Sequence, residues 1–195
     1  MKTLYSITLL FIASMLQAQS PIIDIEDFYI DPKVDNAYYK DINNYFNDFE
    51  GTWLYTNGNT SLKIVLIKQS MLYTGRFYVD YIGGEYQYIE NGLEKRNTLS
   101  NTSIYTSSIQ SGTLIKNNAK PECSNCQPNE RRLRVIFSDR TRERSGTLVL
   151  KKTIVNGQLA LQGQLWGEGG SYDEANPPQY FEMAVPSGNY TFIKQ

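Results

Sequence analysis

From Gly51 onward the chain is a succession of β-branched and aromatic runs cut by Asn-Gly pairs, and this punctuation constrains the fold more than any other feature. Asn91-Gly92 follows Glu85–Glu90 (EYQYIE), and Asn156-Gly157 follows Leu148–Val155. An Asn-Gly pair supplies the two positive φ angles of a type I′ turn, so each predicts a two-residue β-hairpin. Asn57-Gly58-Asn59 precedes the apolar run Ser61–Gln69, and Leu72–Tyr81 carries aromatics in a strand setting. Leu133, Val135 and Phe137 alternate with Arg132, Arg134 and Ile136; Leu159, Leu161 and Leu165 lie opposite Trp166. With a terminal strand over Tyr190–Ile193, about eight to ten strands result, with no βαβ spacing and no long repeat. The expected fold is all-β: an antiparallel up-and-down barrel, which removes sheet edges, with a two-sheet β-sandwich as the alternative.

Upstream, Asp31-Pro32 reads as a helix start. Tyr38, Tyr39, Ile42, Tyr45, Phe46 and Phe49 then fall on one stripe of a 3.6-residue helix, predicting one short N-terminal helix. Before it, MKTLYSITLLFIASMLQAQS has the basic start, apolar core and small-residue cleavage pattern of an export signal. Its apolar core is too short to span a bilayer. The expected organisation is a signal peptide over 1–18 cleaved near Ala18, an N-terminal arm and helix over 19–50, and a barrel over 51–195. The expected location is secreted or periplasmic, with no membrane span.

The junction Phe49-Glu50-Gly51-Thr52-Trp53 resembles the Phe-x-Gly-x-Trp kernel that opens the first strand of calycin-superfamily barrels, which include lipocalins, fatty-acid-binding proteins and avidins. The resemblance implies a structural role for Phe49, Gly51 and Trp53, with the indole plugging one barrel end. The C-terminal arginine that covers this tryptophan in the family has no clear counterpart, with Lys194 or an arginine of 131–144 as the available substitutes. The later lipocalin Thr-Asp-Tyr motif is absent. The whole chain also resembles an uncharacterised family of exported Bacteroidetes proteins of about this size, which implies a compartment and no activity.

The chemistry is narrowed by what is missing. The chain has no histidine, which removes Ser-His-Asp and Cys-His nucleophiles, imidazole acid–base work and His-ligated metals. No phosphate loop, dinucleotide fingerprint or nucleophile motif is present. Neither a catalytic residue nor a metal ligand nor a cofactor is therefore expected. Two cysteines, Cys123 and Cys126, form a C-x-x-C flanked by prolines, and in an oxidising compartment they read as a local disulfide.

Charge is uneven along the chain. Residues 19–50 hold eight carboxylates against Lys33 and Lys40, which suggests an acidic arm facing a basic body. Arg132, Arg134, Arg140, Arg142 and Arg144 form, with Arg131, an arginine-rich stretch. It reads as a solvated outer face, or as a patch for an anion, a glycan or the acidic arm. Nucleic acid is disfavoured by the near-neutral total. Fifteen tyrosines suit either strands or an amphiphile cavity. On the calycin resemblance, the expectation is a lipocalin-like binding protein for a small amphiphilic ligand, lined by Tyr73, Phe77, Tyr86 and Tyr88. The alternatives are a protein-interaction or inhibitor module with a filled barrel and, more distantly, a glycan-processing enzyme.

Overall fold

The structure is a computed structural model and describes residues 20–28, 32–116, 118–167 and 177–195. The predicted signal peptide and residues 168–176 lie outside the described residues. The first strands in the chain are β1 (Ile22–Asp24), β2 (Tyr38–Lys40), β3 (Gly51–Asn57), β4 (Thr60–Tyr73), β5 (Tyr78–Glu90) and β6 (Leu93–Asn97). They are followed by β7 (Ile109–Ile115), β8 (Arg132–Asp139), β9 (Arg144–Val155), β10 (Gln158–Gly167) and β11 (Gly188–Lys194). Eight of them run β5-β4-β3-β11-β10-β9-β8-β7, and β7 returns to β5 through the pair Gly84–Ile109. This is a closed antiparallel barrel, consistent with a calycin-like architecture, and not a sandwich. Strands β1, β2 and β6 attach outside it along β5.

Both Asn-Gly turns form as expected, with positive φ at Asn91 (52°), Gly92 (79°), Asn156 (51°) and Gly157 (78°). Two expectations are corrected. Leu72–Tyr81 is not one strand but the end of β4, a turn and the start of β5. The amide of Thr74 donates to Phe77 O at 3.0 Å, and Gly75 takes φ 94°. The predicted helix shrinks to a single 3₁₀ turn over Tyr45–Asp48, preceded by strand β2. Asp41 is the reason. Its carboxylate accepts from the amides of Tyr45 and Phe46, both at 2.9 Å, and Asn44 sits in the left-handed region at φ 55°. Side-chain capping thus competes with helix propagation. The aromatic spacing was instead serving one strand and one turn, which bury Tyr39, Phe46 and Phe49 separately.

Inward residues alternate as the pleat requires. Leu62, Ile64 and Leu66 of β4, Leu133, Val135 and Phe137 of β8, and Leu148 and Leu150 of β9 are buried in one cluster with Trp53. Gly84 lets β5 press against β4, since a Cβ there would lie 1.8 Å from the carbonyl oxygen of Val65. Both barrel ends are closed. The loop Asp41–Glu50 spans one end, tied to β4 by Lys68–Asp41 (3.3 Å) and to β9 by Lys152–Asp48 (2.5 Å). It carries Phe46 and Phe49, and Phe49 O accepts from the Trp53 indole N–H at 2.8 Å. At the other end the segment before β11 inserts Met183 and Val185. Asp139 holds it through the Ala184 amide at 2.9 Å, and Arg144 through Tyr180 O at 2.7 Å.

The acidic arm docks on the basic body. Besides Asp41 and Asp48, Glu26 receives Arg131 and Asp35 receives Arg76. Arg131 reaches both Glu26 oxygens, at 2.5 and 3.3 Å, and stacks on the Tyr45 ring at 5.2 Å. The carboxylate pairing holds the Arg131 pKa above its ordinary value.

Candidate functional site

The barrel is least regular where it closes. The free edge of β5 is shared by three partners: β2 at Tyr78–Val79, β7 at Gly84 and β6 from Gln87 onward. Between the first two, β5 and β7 part. A register shift in β7 between Gln110 and Thr113, with Ser111 at φ 58°, turns the strand away. A side chain fills the gap in the ladder: the Ser111 amide donates to the Tyr81 hydroxyl at 3.3 Å, and that hydroxyl lies 3.4 Å from Ser107 Oγ.

The parting leaves a cleft of about 440 Å³. Its walls are Leu72 and Tyr73 from β4, Val79 from β5, Leu114 from β7, and Ile25 and Phe28 from the N-terminal arm. Exposed Tyr105 stands at its rim. The two carboxylates that reach it are already engaged. Glu26 is held by Arg131. Asp80 accepts from the Tyr38 hydroxyl (2.5 Å) and from the amides of Asp41 (3.0 Å) and Met71 (3.2 Å). Burial, then the Asp80 hydrogen bond, pushes the Tyr38 hydroxyl up to about 12. Uncommitted charge is therefore scarce, while Thr74, Ser111 and Thr113 bring hydroxyls to a mainly apolar wall, that of Thr113 donating to Ser111 O at 3.2 Å. Volume and lining suit a small ligand with an apolar body and a neutral polar end.

The four expected ligand residues do not share one cavity. Tyr73 walls the cleft, its ring centroid 5.0 Å from that of Tyr78. Phe77 stands behind it, edge-on to Phe28 (5.7 Å) and Tyr39 (5.3 Å). Tyr86 and Tyr88 point inward and are packed. Tyr86 lies on Phe137 at 4.3 Å, and its hydroxyl reaches Ser138 O at 3.4 Å. Burial, with Asp139 nearby, pushes that hydroxyl above its ordinary range. The Tyr88 hydroxyl donates to Glu90 at 3.2 Å and is pushed up to about 12, chiefly by burial. Sequence reasoning missed Ile25, Phe28, Leu72 and Tyr81. The signal was thin: two apolar residues inside an acidic arm.

The kernel residues do converge. Phe49, Gly51 and Trp53 meet at one barrel end, where Lys194 Nζ lies 5.0 Å from the indole centroid and donates to Glu50 O at 3.2 Å. Cys123 and Cys126 are joined as a disulfide. Residues 1–195 match the family model described as a family of unknown function, DUF6705. The chain belongs to that family. No curated protein and no solved structure matches it.

In this DUF6705 chain the arginines of 132–144 are spread over separate tasks. Arg132 is buried and donates to the carbonyls of Lys116, Ala119 and Pro121. Burial lowers its pKa from the usual guanidinium range. Arg140 reaches Ser107 O, Arg142 faces Asp139 and the Tyr180 ring, and Arg144 holds Tyr180 O. Arg134 stands exposed on the outer face of β8. Among the described residues, no group of three or more His, Cys, Asp or Glu could hold a metal. None of their helices is long and apolar enough to cross a membrane.

Proposed function

We propose that this protein is an exported, lipocalin-like carrier of a small amphiphile, which it holds in the seam cleft between β5 and β7 and not in the barrel interior. The cleft carries this reading: about 440 Å³, apolar walls from four elements, and both nearby carboxylates already paired. A headgroup that is neutral and hydrogen-bonding fits Ser111 and Thr113 better than a carboxylate, which Glu26 and Asp80 would repel.

The test is titration with the neutral fluorophore N-phenyl-1-naphthylamine. Saturable binding with a blue-shifted emission is expected. Thr113→Trp, which fills the cleft, should weaken it by about tenfold or more. No saturable binding, or binding undiminished in the filled variant, overturns the reading. Amino-terminal sequencing of protein recovered from the native host tests export, with a start near Gln19 expected. A second reading, a protein-interaction or inhibitor module, draws on the sealed interior. A stoichiometric protein partner recovered with no fluorophore binding would favour it.

A further inference from the structure

We infer that the outer face of β9, β10 and β11 carries a second, independent site: a saccharide groove with Trp166 as its platform. Residues 116–131 between β7 and β8 contain no strand or helix among those described, yet the segment is fastened firmly over this face. Arg132 gathers three of its carbonyls at 2.5 to 2.9 Å, the Cys123–Cys126 bond closes its tip, and Lys151 reaches Asn125 at 3.4 Å. A loop of this length that is so heavily fastened is a preformed wall.

Between wall and sheet run two clefts of about 340 and 380 Å³, which share Pro121 and Gln164 and so form one groove. Its floor is set by strand register. Gln164 is paired with Asn189 of β11 and Val149 of β9, Gln162 with Thr191 and Lys151, and Trp166 with Thr147. Those partners and their alternation put Gln162, Gln164 and half-buried Trp166 in a row on the outer face, while Leu161 and Leu165 point into the core.

The side-chain amides of Gln162, Gln164 and Asn189 make no hydrogen bond to any described residue. Each offers a donor and an acceptor side by side. Vicinal sugar hydroxyls need that arrangement, and a pyranose ring's apolar C–H face suits a flat indole. Of the cations that line the groove, Lys151 lies 4.0 Å from Glu130 and Arg132 is spent on three carbonyls, while Lys120 and Arg134 flank the Trp166 end.

The two tryptophans make the test selective. Trp53 is 1% exposed and sealed under Lys194, so any sugar-induced change in emission reports Trp166. The full-length exported protein would be titrated with cellohexaose, maltohexaose, laminarihexaose, xylohexaose and chitohexaose. At least one should give a saturable shift or quench. Trp166→Ala, titrated by isothermal calorimetry because the reporter is gone, should bind none of them, whereas the wild type gives a saturable heat. Gln164→Ala, at an exposed position, should weaken binding about tenfold, with the Trp53 emission serving as the fold control. No response to any of the five sugars overturns the proposal. A response surviving in Trp166→Ala overturns it too, as does binding of an unfolded polypeptide (reduced, carboxymethylated α-lactalbumin) at Trp166 in place of sugar. N-phenyl-1-naphthylamine binding should be unchanged in Trp166→Ala, and sugar binding unchanged in Thr113→Trp, which separates this failure from that of the seam cleft.

Discussion

Lys194 lies over Trp53. Its ammonium is 5.0 Å from the ring centroid and donates to Glu50 O, so the last barrel strand, β11, seals the indole of the first barrel strand, β3. The two residues are also paired in the β11–β3 ladder that joins the first and last barrel strands in chain order. Replacing Lys194 with Met removes the cation and keeps the stem. A loss of about 1 kcal/mol is expected in urea denaturation, with increased quenching of Trp53 by acrylamide. Gly51→Ala should cost more. Gly51 holds φ 124°, and an added Cβ would sit 3.2 Å from Lys194 Cε.

Asp41 should be the most sensitive carboxylate of the amino-terminal region. It is 1% exposed, holds two backbone amides and pairs with Lys68. Asp41→Ala would leave those donors buried and uncapped, at a cost of about 3 kcal/mol. Denaturation at equilibrium measures it, and a loss below about 0.5 kcal/mol would show that the end loop is not closed by this residue.

The Glu26–Arg131 pair docks the arm that walls the seam cleft. Arg131→Met is expected to lower global stability only modestly, on the order of 1 kcal/mol, because the pair is partly exposed. The arm itself should respond more strongly. Amide exchange across Ile22–Phe28 should accelerate, and N-phenyl-1-naphthylamine should bind more weakly. A charge swap, Glu26→Arg with Arg131→Glu, should restore both.

Alkaline pH should destabilise the fold in a defined window. The hydroxyls of Tyr38, Tyr88 and Tyr190 are each pushed from 10 to about 12, first by burial. A raised pKa keeps the native state protonated where the unfolded chain has lost its protons. The contribution is therefore whole below pH 10 and is lost as pH rises toward 12. Between those values each such tyrosine should lower stability by at most about 1.4 kcal/mol per pH unit, and by less at Tyr38 and Tyr88, where solvent screens the hydroxyl more than at Tyr190. Absorbance at 295 nm should show a late-titrating class that merges with the rest in denaturant.

Reduction of Cys123–Cys126 should barely move the global midpoint, since the ring spans a sequence separation of only 3. A Cys123→Ser/Cys126→Ser variant is expected to lose about 1 kcal/mol or less. Its effect should appear locally, as faster exchange in residues 118–131 and weaker sugar binding at Trp166.

The hairpins were legible because an Asn-Gly turn is chemistry carried by two adjacent residues. The same holds for the tip disulfide and for the alternation of Leu133, Val135 and Phe137. The N-terminal helix misled because helical spacing at 38–49 also satisfies a strand followed by a 3₁₀ turn. The arbiter was the Asp41 carboxylate, whose partners become apparent only when Lys68 arrives from β4. The seam cleft had no local signature. Its walls come from residues 25, 72, 79, 105 and 114, which no periodicity connects.

By itself, then, the amino-acid order determined an all-β chain of hairpins with an indole at its opening strand and no imidazole chemistry. Those properties depend on φ preferences, pleat alternation and residue inventory, all of which act over a few neighbouring positions. Tertiary structure alone decided that the interior is filled, that the clefts described lie outside the barrel, and that Arg132 and Arg144 serve as clamps. Each of these depends on which distant side chains compete for the same space or the same carbonyl, and that competition is settled only when the barrel closes.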